Sequence, residues 1–322
     1  MNDNRYSGEY SSCLQSQPSF NRPCMTSSLE NSMNLTNASA EDCYLPLAHA
    51  IALVTTNSLT AVLGTFGNIL VCIAVVNNPR LRRSSNFLLV SLAIADLIVT
   101  MVSAPLVGAM VVKIALTHEC PKLLELIYSI AGYLSCSASI FHLAAISIDR
   151  FLAVVFSLRH GSIMKKFGLK TMLVTVWSLA VAIVCLRVSG LKEISLLSLV
   201  MFLVSYAAIV VSYASIVIFL VKERRAKQHL RARSYVVEVE RRVAFTLAII
   251  ISIFSVCWFP LIISFFSSGY SLVKLHGTAF MWIRTLALSN SAMNFLIYSW
   301  RIRDFRAAYF AIYRNIVGCG SQ

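Results

Sequence analysis

Seven runs of mainly apolar residues, each long enough to cross a lipid bilayer, constrain this chain more than any other feature. A spanning helix needs about 20 such residues, because the hydrocarbon core is about 30 Å thick and a helix rises about 1.5 Å per residue. The runs are Leu47 to Val76, Asn86 to Val112, Leu123 to Phe156, Leu169 to Val188, Ile194 to Val221, Val243 to Ser267 and Gly277 to Trp300. Each is expected to be helical, since lipid offers the backbone no hydrogen-bond partner. The expected fold is therefore an all-α membrane protein, a seven-transmembrane helix bundle over residues 47–300. A polar N-terminal segment, residues 1–46, is expected to be disordered, and residues 301–322 follow the last span. With 57% hydrophobic and 13% charged residues the chain is too apolar for a water-soluble domain of its length.

A net charge of +14 would suggest nucleic acid in a soluble protein. Here the basic residues fall between the apolar runs, so they bear on topology and on lipid headgroups, and no nucleic-acid partner is expected. Most of the 28 Lys and Arg residues cluster on one side: Arg80 to Arg83, Arg150 to Lys170, Lys222 to Arg242 and Arg301 to Arg314. The positive-inside rule then puts the N-terminus outside and the C-terminus in the cytosol. The sequons at Asn34 and Asn37 agree, because N-glycosylation requires luminal exposure. The first twenty residues contain no apolar core of a signal peptide, so insertion is assigned to the first span. Cys13, Cys24, Cys43 and Cys120 would face the oxidising side, with their pairing open, and Cys319 is a candidate for acylation.

Asp96 lies mid-way along the second run, where a charge costs roughly 2.5–3.5 kcal/mol on insertion scales, so it should face the bundle interior among polar partners. Asn68, Ser139, Asn290, Ser291 and Asn294 are the candidates. Asp149 and Arg150 close the third run, where a long basic side chain can reach an aqueous cleft. Pro260 removes a backbone hydrogen bond from the sixth run and should kink it, with Trp258 two residues earlier able to sense that pivot. No phosphate-cradling glycine loop, no HExxH spacing and no nucleophile with a base is evident, so no enzymatic chemistry is expected.

In order along the chain stand Gly67-Asn68, SLAIADL from Ser91 to Leu97, Asp149-Arg150-Phe151, Trp177, Tyr213, Cys257-Trp258-Phe259-Pro260, Asn290-Ser291 and Asn294-Phe295-Leu296-Ile297-Tyr298, followed by Phe305-Arg306. The series resembles the rhodopsin-like (class A) G-protein-coupled receptors across all seven runs. That resemblance implies a receptor in the plasma membrane that answers an extracellular ligand and engages a heterotrimeric G protein, with a short amphipathic cytosolic helix after the seventh span. It implies a switch built from Asp149, Arg150, Tyr213, Glu240, Trp258, Pro260, Asn294 and Tyr298, in which Arg150 is bridged to Glu240. From the residues alone, Arg150 and Glu240 would read as solvated boundary charges. It also implies an allosteric sodium ion held by Asp96, Ser139, Asn290, Ser291 and Asn294, where the residues alone allow an ion-free polar network; no other cofactor is expected.

Several positions depart from the family pattern. Asn294-Phe295 replaces Asn-Pro, removing a kink from the seventh span. Glu125 stands where most members have a cysteine bonded to the second outer loop, and that loop, RVSGLKE from Arg187 to Glu193, has none; a Cys43–Cys120 pair is the alternative. Ser205 replaces a common proline. The short loop, the missing proline and Glu125 are together similar to melanocortin receptors, with adenosine and cannabinoid receptors as looser relatives. Gly132 occupies the position of the aspartate of aminergic receptors, which favours a peptide or small polar ligand over an amine. Glu125, Gly132, Trp258 and Arg284 are the candidate ligand contacts. The alternatives are a transporter or channel, and a receptor-like protein that does not signal.

Overall fold

The computed structural model describes residues 45–82, 84–119, 121–164, 168–190, 194–226, 234–267 and 277–318. Asn34, Asn37, Cys43, Cys120 and Cys319 lie outside the described residues. Every regular element among the described residues is helical. In chain order they are α1 (Leu47–Asn77), a 3-10 turn (Pro79–Leu81), α2 (Ser84–Ile98), a π turn (Val99–Ser103), α3 (Ala104–Thr117), α4 (Lys122–Val155), α5 (Ser157–Ile163), α6 (Leu169–Val188), α7 (Ile194–Ala226), α8 (Ser234–Ser267), α9 (Thr278–Arg301) and α10 (Arg303–Gly318).

Among the described residues, five helices are long and apolar enough to cross a membrane: Leu47–Asn77, Asn86–Thr117, Lys122–Val155, Leu169–Val188 and Leu196–Glu223. The strongly apolar part of α8 is the shorter Ala248–Ser264. The seventh expected run, α9, falls outside that apolar set because Arg284, Thr285, Asn290, Ser291 and Asn294 interrupt it. All five are buried, so its polarity is turned inward. α8 also begins well before the expected Val243, since its charged first turns, with Glu238, Glu240, Arg241 and Arg242, are helical too.

α4 is the axis of the bundle. It packs against α2, α6 and α7, and every residue from Ser137 to Ser147 is buried. α1 packs on α2, α3 and α9, α9 on α8, and α8 on α7, so the ring closes around α4. α6 buries only Val176, Ala180 and Ile183. Its Val174 and Val181 side chains are exposed, as are Val62 of α1 and Val211 of α7, an apolar surface that suits lipid rather than water.

The second run is not one regular helix. Pro105 has no N–H and its ring crowds the carbonyl four residues back. The chain widens into the π turn Val99–Ser103 just before it, a single-turn bulge of the kind that accommodates one extra residue. α9, by contrast, runs unbroken through Phe295. The Phe295 ring instead leans on Gly67 of α1, where an added Cβ would fall within the ring itself. α10 buries Phe305 and Ala308 against α9 and α1, while Arg303, Arg306, Phe310 and Tyr313 stay exposed.

Candidate functional site

Three polar groups are strung along the bundle. One lies near its middle, one at the end carrying Arg150, and one at the end carrying Glu125.

In the middle, Asp96 of α2 is fully buried. Asn294 of α9 donates Nδ2–H to its Oδ2 at 2.6 Å, and the Ser291 and Ser139 hydroxyls stand beside it. Asn68 of α1 donates to the carbonyls of Gly64 and Ser291, both at 3.0 Å. The expected set thus converges from α1, α2, α4 and α9, with Asn290 buried one position before Ser291. Two oxygens in it, Asp96 Oδ1 and Asn68 Oδ1, are buried with no hydrogen-bond partner. A carboxylate surrounded by hydroxyl and amide oxygens is a donor set for a hard cation, and unpartnered acceptors are what such an ion would satisfy. No group of three or more His, Cys, Asp or Glu side chains suited to a transition metal occurs among the described residues.

At the end carrying Arg150, Asp149 is completely buried and forms a salt bridge with its neighbour Arg150, which donates Nε–H to it at 3.0 Å. Its other oxygen meets His160 Nε2 of α5 at 2.9 Å. Asp149 therefore clamps the arginine and the short helix that follows. The adjacent acid and base that look anomalous in an apolar run neutralise each other. Tyr213 packs nearby with Phe151 around Val154 and Ile216. Glu240 lies on α8, but its side chain is outside those described, as is the expected bridge to Arg150.

Between these groups an aromatic ladder joins α7 to α8. Phe202 stacks on Tyr206 at 6.3 Å and on Phe254 at 6.1 Å, Phe254 stacks on Trp258 at 5.7 Å, and Tyr206 meets Phe259 edge-on at 5.3 Å. The Tyr206 hydroxyl pairs with Ser255 Oγ at 2.8 Å. Trp258 is thus embedded in a column that the sequence motifs only began to outline. Pro260 sits inside a helix that continues past it and leaves the Val256 carbonyl without its usual donor. Tyr298 is buried against Phe305, with ring centroids 5.7 Å apart.

At the end carrying Glu125, the Arg284 guanidinium of α9 holds both Glu125 carboxylate oxygens of α4, at 3.0 and 2.9 Å. The ring of Tyr128 lies 4.4 Å and that of Phe280 5.0 Å from its central carbon. These two candidate ligand contacts are bound to each other. Gly132, two turns along α4 from Glu125, has only the Tyr128 ring within 4 Å of where a Cβ would sit.

A further polar linkage has no counterpart in the expected sites. Trp177 of α6 donates Nε1–H to Ser91 Oγ at 2.9 Å, and Ser91 Oγ lies 2.7 Å from His142 Nε2. His142 Nδ1 lies 2.7 Å from the Ala138 carbonyl, which can only accept, so Nδ1 carries the proton and Nε2 accepts from Ser91. This chain pins α2, α4 and α6 together. The serine and the tryptophan were visible as motif residues; nothing in the sequence singled out His142.

The model of the family described as "7 transmembrane receptor (rhodopsin family)" matches residues 67–195 and 191–298. Among curated proteins, the chain is 29% identical to adenosine receptor A2b of Gallus gallus over 304 residues, covering 80% of this chain and 87% of that one. It is 28% identical to human adenosine receptor A2a over 324 residues, 85% of this chain and 74% of the relative. Histamine H2 receptor of Canis lupus familiaris is 28% identical over 285 residues, 77% of this chain and 75% of the relative.

Proposed function

Since the chain belongs to the rhodopsin family of seven-transmembrane receptors, we propose that it couples an extracellular ligand at its Glu125 end to a heterotrimeric G protein at its Arg150 end. The orientation rests on the Lys and Arg residues gathered in the segments at the Arg150 end, which the positive-inside rule assigns to the cytosol of a plasma-membrane protein.

The observation that carries the reading is Arg150 clamped by a fully buried Asp149. A cation held this way is available to exchange partners when the helices around it move, and the helix that must move is the one divided by Pro260. Ligand binding shifts an existing equilibrium between closed and open forms of that end. The Phe202–Phe254–Trp258 column supports transmission, because a displacement at Trp258 is handed to packed rings rather than to empty space.

The mid-bundle cluster fits a sodium ion, with Asp96 Oδ1 and Asn68 Oδ1 as unpartnered acceptors and Ser139, Ser291 and Asn294 around them. Such an ion would supply a positive charge that holds α1, α2, α4 and α9 together in the closed form. The named relatives are receptors for adenosine and histamine. Gly132 gives this chain no carboxylate at that level of α4, which favours a small polar ligand or a peptide over an amine.

Nucleotide exchange by purified G proteins over the reconstituted receptor tests the reading. Replacing Glu240→Ala should raise the ligand-independent rate severalfold if that acid restrains Arg150. Equal rates for the wild type, the variant and empty lipid vesicles across the G-protein classes would refute it.

A further inference from the structure

We propose that Arg284 is the anchor for a ligand carboxylate, and that in the unliganded receptor Glu125 occupies the place of that group. The inference rests on the reading of the Glu125 end as the ligand face, and it names the chemistry of what binds there.

The two halves of the bridge are not equivalent. The Arg284 side chain is 5% exposed and that of Glu125 28%. An arginine cannot shed its proton, and a buried cation stripped of its partner is heavily penalised. Glu125 sits in the first turn of α4, where the helix dipole favours a negative charge, and it is open enough to return to water. Whatever parts the pair must therefore bring an oxyanion for Arg284 and need bring nothing for Glu125. The guanidinium lies against the rings of Tyr128 and Phe280. Its in-plane N–H groups form the fork that a planar carboxylate fits with two parallel hydrogen bonds, as Glu125 already demonstrates.

One other feature points the same way. Along α4 the same face continues from Glu125 past Tyr128 to Gly132, where the absence of a side chain leaves room beside the tyrosine ring. An acid with an apolar or aromatic body can place its carboxylate on Arg284 and its body along this face.

The test uses the full chain in lipid nanodiscs with 3-phenylpropionate as probe and 3-phenylpropionamide as its neutral counterpart. Direct binding is measured to the wild type, Glu125→Gln and Arg284→Leu. Removing the internal competitor should make Glu125→Gln bind the acid at least tenfold more tightly than the wild type does, with no binding of the amide and none of either compound to Arg284→Leu. If Glu125→Gln does not fold, Glu125→Asp, too short to satisfy both nitrogens, should show the same direction. A bridge that serves only to tie α4 to α9 would give no saturable binding of the acid to any variant, or equal binding to Arg284→Leu, and either result overturns the proposal. G-protein nucleotide exchange by the same samples reports separately on the receptor reading, which stands if basal exchange is present while carboxylate binding is absent.

Discussion

The hydroxyl of Ser91 is the perturbation whose size the structure fixes best. It receives the Trp177 N–H at 2.9 Å and serves His142 Nε2 at 2.7 Å, so Ser91→Ala removes two hydrogen bonds with one atom. The loss leaves a donor and an acceptor in a place where Ser91 and His142 are both buried and water cannot substitute. In water-soluble proteins each orphaned group costs about 1–3 kcal/mol. Within a bilayer, interhelical hydrogen bonds average about 0.6 kcal/mol, with a maximum near 1.7, because the unfolded helices also find partners. Two bonds at the membrane values give a destabilisation of roughly 1–3 kcal/mol, and the tight packing of the His142 and Trp177 rings, 5.6 Å apart, limits relaxation toward new partners. Reversible unfolding of the purified protein in mixed micelles provides the assay. Ser91→Thr, which keeps the hydroxyl, should be destabilised less than Ser91→Ala. A cycle with Trp177→Phe should return a coupling energy of about 0.5 kcal/mol or more. If Ser91→Ala matches the wild type, or its effect adds independently to that of Trp177→Phe, the three-helix linkage does not exist as described.

Two further outcomes are expected. Gly67→Ala places a methyl group inside the Phe295 ring and should cost about 1–3 kcal/mol as an overpacking substitution; in a Phe295→Ala background the penalty should vanish, and its persistence would show that the ring is not what occupies the space. Asp96→Asn removes the charge that would hold sodium, so the unfolding midpoint should lose its dependence on sodium relative to an equal concentration of a bulky organic cation, and a retained dependence would place the ion elsewhere.

Apolar run length and the inward placement of costly polar groups made much of this architecture legible in the sequence. The convergence of Asp96, Asn68, Ser139, Ser291 and Asn294 follows from burial cost, since a carboxylate in the centre of a span has few other places to go. Which partner each group takes was not legible. Glu125 and Arg284 are far apart in the chain, and only the fold, which brings the two side chains within hydrogen-bond reach, turns two separate charges into one neutral pair. His142 was hidden for the opposite reason: in a buried stretch of α4 a single histidine carries no pattern of its own, and its meaning appears only when α2 and α6 bring Ser91 and Trp177 to it. The π turn escaped because hydropathy does not distinguish a regular helix from one widened by a residue, although Pro105 gave the chemical reason for it.

That widened turn has a consequence for how the second membrane crossing can vary. One additional residue in a helical turn advances the phase of everything beyond it by about 100°, so the half bearing Asp96 and the half bearing Val107, Met110 and Val111 are clocked separately. Deleting a single residue from Val99–Ser103 would leave the carboxylate where it is and swing the far half around the axis, carrying its inward side chains toward neighbours or lipid. The mouth of the receptor can thus be re-aimed without disturbing the machinery below it.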